Sequence, residues 1–358
     1  MWPFVAMASL VAVAATTGGA RRPQRVIWFA SLVLFTIFVG LRHKVGMDWN
    51  NYLRMIDKAS RIDSFDRVLT VSEPLYALLL VWGDWTGFGI YAVNLVATLI
   101  FFMGLYRFAR LTPEPWLAIM AAFPFFVTVV AMSANRQALA AGILIWLIAD
   151  WYKLSVAKRV IWIFVAAGFH FSALLYLAFV GWEMRIRLWI KIIALSVFAA
   201  LAVYVLQSTG QADYYDSSYG SGQTEDTQSS GAWIHVSINA LPALFYFLLP
   251  KYRSVLFPNS LLRLMAFAAI ATLPLVAIAS TAAGRISLYW YPVSIWVWSA
   301  FPQIFSPRSR PLVRAMISLA MCAMMVNWLL FANSSHAHLP YQNALFLEAW
   351  QLHIGFVP

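Results

Sequence analysis

Long apolar runs, broken by short polar loops, set the pattern of this chain. Stretches at roughly 2–19, 26–41, 88–106, 116–133, 136–152, 189–206, 232–249, 262–279, 286–304 and 311–331 each read as a membrane-crossing helix. A hydrocarbon core of ~30 Å needs ~20 apolar residues per helical crossing. None of the runs shows two-residue alternation, so helices are expected rather than a barrel. Two apolar pieces do not fit a simple crossing. Residues 73–83 are too few to cross. Residues 160–182 are long enough, yet both flanks are basic: Lys153, Lys158 and Arg159 before, Arg185, Arg187 and Lys191 after. The expectation is a half-length or surface helix for the first, and for the second a broken or re-entrant pair with Gly168, Phe169 and His170 near its tip. The fold class expected is therefore all-α and polytopic, about ten transmembrane helices plus short half-length or re-entrant ones. The chain reads as one transmembrane domain over 1–358, with outer loops at 42–74 and 207–231.

Composition supports this: 62% of the 358 residues are hydrophobic, 11% are charged, and mean hydropathy is +0.73. No soluble fold buries that much apolar surface. The N-terminus has no basic residues ahead of its apolar run, which reads as an uncleaved first span with its N-terminus outside. One cysteine, Cys322, excludes an intrachain disulfide and a thiolate metal cluster.

Net charge is +11, but the basic residues lie in short loops, as membrane topology alone would place them. Nucleic acid is therefore rejected as a partner. With 160–182 re-entrant, the loops at 21–25, 107–110, 153–159, 185–191, 251–263 and 308–314 share the cytoplasmic side. That leaves Arg42, Lys44, Arg54, Lys58, Arg61, Arg67, Arg136 and Arg285 outside, with both termini.

The densest polar stretch is LRHKVGMDWNNY, residues 41–52. Its continuation, 49–62, places Trp49, Tyr52, Leu53, Ile56 and Ala59 on one side of a helix and Arg54, Asp57, Lys58 and Arg61 on the other. That predicts an amphipathic helix on the membrane surface. Asp48 fits the N-cap of this helix and also fits a general base. Arg136 and Arg285 are each expected to begin an inward-running span, where the helix dipole and the positive-inside rule both disfavour a cation. An anion held by both arginines would relieve the conflict. The alternative is interfacial snorkelling. His170 reads either as a buried hydrogen-bonding group or as a catalyst. Glu73, before Pro74, reads as a catalytic carboxylate or a helix-start residue. His336 and His338 form no convincing metal set. No nucleotide-binding, nucleophile-elbow or zincin motif occurs. The loop at 207–231, rich in Ser, Gly and Gln with Asp213, Asp216, Glu225 and Asp226, fits a lid or a linker.

Taken together, these residues resemble the EpsG family, Wzy-type membrane polymerases of bacterial exopolysaccharides. The resemblance rests on Arg42…Val45-Gly46-Met47-Asp48-Trp49…Tyr52, Glu73-Pro74-Leu75, Arg136-Gln137-Ala138-Leu139-Ala140, Phe169-His170-Phe171-Ser172-Ala173-Leu174, Gly284-Arg285…Tyr289 and Pro340-Tyr341. Trp49 departs from the tyrosine that the family usually shows. The resemblance implies a GT-C-like glycosyltransferase in the inner membrane of a bacterium. It would join oligosaccharide repeat units carried on undecaprenyl diphosphate at the outer face, without a metal, nucleotide sugar or other cofactor. Membrane lipid, a flippase and a chain-length regulator are the further partners implied. Arg42, Arg54, Arg136 and Arg285 are then the diphosphate-binding candidates, and Asp48, Glu73 and His170 the catalytic ones. Trp49, Tyr52, Gln137, Tyr289 and Tyr341 are the sugar-binding candidates. Rival readings are a flippase or transporter of the same lipid-linked sugar, a glycan ligase and an acyltransferase.

Overall fold

The computed structural model describes residues 1–20, 22–61, 71–184 and 231–348, with isolated positions at 187, 189, 191 and 193. The expected span at 189–206, Arg67, Arg185 and the acidic residues of the 207–231 loop lie outside the described residues.

Among the described residues, the chain is all-α except for one two-residue strand pair. Proline sets several helix starts, where its fixed φ suits the first turn and its missing N–H loses no bond. Such starts open α1 (Trp2–Gly18), α4 (Pro74–Trp85), α6 (Pro115–Ala122) and α15 (Arg310–Phe331). The others named below are α2 (Arg25–Gly40), α3 (Trp49–Ser60), α5 (Ile90–Ala109), α7 (Asn135–Asp150), α8 (Val156–Ala167), α9 (Leu177–Glu183), α10 (Ala232–Leu248), α11 (Arg253–Leu256), α12 (Ser260–Leu275), α13 (Ser280–Ser287) and α14 (Tyr291–Ala300).

Crossing lengths are shorter than the apolar runs suggest. Among the described residues, α5 and α15 are long and apolar enough to cross a membrane alone, and α10 with the bent 250–256 piece makes a third. The expectation of about ten transmembrane helices thus holds only in part: prolines and breaks divide several of the runs, and 189–206 lies outside the described residues. The 116–133 run is α6 followed by a π-helix, Phe123–Ala131, whose Pro124 cannot donate. Thr128 Oγ1 instead donates to Phe123 O, five residues back, at 2.9 Å. The 286–304 run divides into the end of α13, a 3₁₀ turn and α14.

Two ends can be told apart by their chemistry. At one, Arg107 reaches Asp150 (2.7 Å), Arg159 reaches Glu183 (3.0 Å) and Arg314 reaches Glu114 (2.7 Å). The basic loops assigned to one side in sequence thus meet there. At the other, β1 (Arg42–His43) pairs antiparallel with β2 (Gln342–Asn343). Helix α1 joins the two: Phe4 stacks edge-on against Tyr341, while Gly19 abuts the Arg314 guanidinium.

The expectation of a broken 160–182 segment holds. Helix α8 stops at Ala167, the chain turns through Gly168–His170, and a 3₁₀ turn leads into α9. Glu183 at the far end returns to Arg159 and to Trp151 Nε1 (2.7 Å), so the hairpin leaves at the end where it entered. Its tip caps α4. Gly168 O accepts from Leu75 N–H (2.8 Å) and Tyr76 N–H (3.2 Å), two of the donors a helix start leaves unpaired. Residues 73–83 accordingly form a half-length helix.

Helices α5 and α7 cross at Gly104 and Gly142. A Cβ on Gly104 would lie 2.0 Å from Gly142 O, and one on Gly142 would lie 2.5 Å from the Phe101 Cα. This contact sets how deeply the N-terminus of α7 sits against α5. Gly142→Leu should force the helices apart and lower the thermal midpoint of the purified protein by several degrees, the range expected for an overpacked core.

Candidate functional site

The stretch 41–52 is a bracket. Gly46 has φ +109°, a region glycine tolerates, and a Cβ there would lie 2.1 Å from Met132 O. Its N–H donates to Ala337 O (2.8 Å), and Met47 N–H donates to Ser133 Oγ (3.2 Å). The loop is thereby pinned to the break that precedes α7, and Asp48 is delivered beside the first turn of that helix.

Arg42 holds this bracket from below. It is 1% exposed, and its guanidinium donates to Val39 O (2.7 Å), Val45 O (3.3 Å), Asn94 Oδ1 (3.4 Å) and Asn135 Oδ1 (2.6 Å). Four of its five donors are thus engaged by the protein. The expectation that Arg42 faces the other arginines as a diphosphate ligand is corrected: it is a buried tie between α2, α5 and α7. Asn94 and Asn135, which hydrogen-bond each other, complete the tie. A lone Asn94 in an apolar run was the signal for such a partner.

Glu73 centres the chemistry. Its side chain is 1% exposed, and each oxygen is engaged. Oε1 lies 2.8 Å from His170 Nδ1, while Oε2 lies 3.0 Å from Arg136 Nη1 and accepts from Ser72 Oγ at 2.7 Å. Burial alone would push the Glu73 carboxyl up. The His170 hydrogen bond, Arg136 and Ser72 together overcome it and hold Glu73 well below the usual carboxylate range. An ionised carboxylate only accepts, so His170 Nδ1 carries the proton and Nε2 is the lone-pair nitrogen when the ring is neutral. Ser72, not singled out in sequence, is the third member of this cluster, and it adjoins Glu73 directly in the chain.

Asp48 and Arg285 lie within electrostatic reach of that cluster. Arg136 and Arg285 both act electrostatically on Asp48 and on His170, which brings all four to one end of the molecule. Asp48 is half-buried. Burial pushes its carboxyl up, against the opposing pull of the two arginines. It occupies the N-cap position of α3, but its carboxylate caps no N–H, so the capping role expected of its side chain is not made.

Arg136 lies in the first turn of α7, as expected. Arg285 does not begin a span: it lies in the last turn of α13, where the helix dipole favours a cation. The dipole conflict inferred for Arg285 is therefore corrected, because the run containing it breaks at 288–290. Helix α3 is amphipathic with the exposed face expected, but Trp49, Tyr52, Met55, Ile56 and Ala59 pack on Tyr76, Leu80 and Ile90. It lies against α4 and α5 rather than bare on a membrane, and Arg54 is on its exposed face.

The aromatic candidates are held by the protein itself. Trp49 is 4% exposed, edge-on to His43, and Tyr52 packs against Tyr76. Tyr341 stacks on Phe38 with its hydroxyl on Phe38 O. Trp49 and Tyr52 are thereby buried, while Tyr341 stays half-buried. Tyr289 meets the re-entrant hairpin, its hydroxyl 3.2 Å from Ser172 Oγ and its carbonyl accepting from Tyr176. Gln137, beside Arg136, is buried, and among the described residues its Nε2 has no hydrogen-bond partner. No group of three or more metal-ligating side chains occurs among the described residues.

The family described as EpsG family matches residues 25–343, a stretch that includes each site residue above. The chain belongs to the EpsG family. No curated protein and no solved structure matches it. Family membership carries a role associated with exopolysaccharide, and the bracket, the Glu73 cluster and the paired arginines all fall inside the matched stretch.

Proposed function

We propose that this EpsG-family chain joins repeat units carried on undecaprenyl diphosphate into exopolysaccharide, at the outer face of a bacterial inner membrane that it crosses many times. The observation that supports it best is the meeting of Arg136 and Arg285 with Asp48 at the end opposite the basic loops. Arg136 and Arg285 hold the donor's diphosphate and stabilise the charge that grows on it as it leaves. Arg54, on the exposed face of α3, guides the anion in, and the Gln137 amide donates to donor sugar or phosphate. Asp48 takes the proton of the acceptor hydroxyl. The hydroxyl oxygen bonds to the anomeric carbon, the bond from that carbon to the diphosphate oxygen breaks, and its electron pair leaves with undecaprenyl diphosphate. The Glu73 cluster fixes Arg136 and His170.

A second base is favoured by one distance. The 2.8 Å contact from Glu73 to His170 Nδ1 orients His170 Nε2 as an acceptor, the arrangement of a carboxylate–histidine pair. A transporter of the same lipid-linked sugar is less favoured, because among the described residues the arginines and lysines gather at the two ends rather than along a path. Purified protein incubated with lipid-linked repeat units should yield a ladder. A single transfer would mean a ligase, and translocation without new bonds would mean a transporter. Arg136→Ala and Arg285→Ala should each reduce ladder formation by about 10²–10³. Full-length polymer from both variants at normal protein level would remove the diphosphate assignment.

A further inference from the structure

A cavity lies at the basic end, opposite the Glu73 cluster. It holds about 440 Å³ between α2, α5 and α7. Its mouth is ringed by Arg22, Arg107, Arg110 and Lys153, and its wall is made by Trp28, Met103 and other apolar groups. Asp150 is the acid that answers this ring: it binds Arg107 at 2.7 Å and Lys153 at 3.2 Å. One carboxylate against four cations leaves a strong excess of positive charge. Arg107 also lies over the Trp146 ring, 5.2 Å from its centroid, which fixes its guanidinium at the rim.

We propose that this cavity is a binding site for an anionic phospholipid, with the phosphodiester at the cationic rim and the upper acyl chain against Trp28 and Met103. Charge complementarity and the mixed lining select this occupant. A free anion would use only the rim and leave the apolar wall wet, while a zwitterionic lipid would bring its own cation into the ring. A basic pocket between helices at a membrane edge is the chemistry that recognises such headgroups. The site is separate from the Glu73 cluster and does not depend on the reaction proposed above.

The test is native mass spectrometry and thermal unfolding of the detergent-purified chain, titrated with phosphatidylglycerol, with phosphatidylcholine of the same acyl chains, and with inorganic phosphate. Phosphatidylglycerol should be retained on the order of tenfold better than phosphatidylcholine and should raise the unfolding midpoint. Arg22→Gln with Arg110→Gln should reduce that preference to about onefold. Met103→Trp, which fills the cavity from its apolar wall at unchanged charge, should displace the lipid and keeps the question answerable if the double variant does not fold. Equal retention of the two lipids would overturn the proposal. So would an undiminished preference in the arginine variant or in Met103→Trp, and a stabilisation by inorganic phosphate matching that by phosphatidylglycerol.

Discussion

Asp48→Asn should lower the rate of ladder formation by about 10²–10⁴, the usual span for removing a general base, with protein level and unfolding midpoint unchanged. The substitution keeps size and shape. It costs no helix cap, since the Asp48 carboxylate caps no N–H. A pH profile separates base from bystander. The base must be ionised, and burial pushes the Asp48 carboxyl above the usual value of about 3.9. Activity of the wild type should therefore rise with pH along a limb set higher than an exposed aspartate would give. Arg136 pulls the Asp48 value down, so the residual activity of Arg136→Gln should show that limb moved to still higher pH. Wild-type rate from Asp48→Asn would exclude it as the base. A loss confined to His170→Gln would then assign the proton to His170 Nε2.

Glu73→Ala should destabilise the fold as well as abolish activity. It removes the carboxylate paired with Arg136, whose side chain is 11% exposed. Breaking a buried pair from one side destabilises by about 3–5 kcal/mol. Glu73→Gln keeps the shape and one of the two acceptor oxygens, so its loss of stability should be smaller while its activity still falls. The pH dependence has a definite sign. The folded Glu73 is held below its unfolded value of about 4.3. Its contribution is present above that value and is lost as pH falls towards the folded one. Wild type should weaken along this acid limb, and Glu73→Gln should lack that part of the loss. Equal unfolding midpoints for wild type and Glu73→Ala would show that the carboxylate is no clamp.

Several elements were legible because they depend on local physics. Apolar runs dictate helices, and the ten residues from Pro74 to Gly83 are too few to cross, as the half-length α4 shows. Basic residues on both flanks of 160–182 required its ends to share one side, and the Arg159–Glu183 pair closes it there. Family membership was legible as well, since short motifs in fixed order need no tertiary information. Helix breaks were less so. Arg285 looked like the start of a span because nothing in the apolar count of 286–304 marks the 3₁₀ turn at Leu288–Trp290.

The sequence by itself determined an all-α chain of apolar helices, a one-sided distribution of basic loops, and the residues from which a site would be drawn. Only the tertiary structure decided which of those residues meet. Arg42 and Arg136 are alike in a sequence, each a cation at the edge of an apolar run. Packing gives Arg42 two carbonyls and two asparagines and so makes it a tie. It sets Arg136 against Glu73 and within electrostatic reach of Asp48. The reason is physical: a guanidinium has five donors, and which of them remain for a ligand depends on acceptors that lie tens of residues away in the chain.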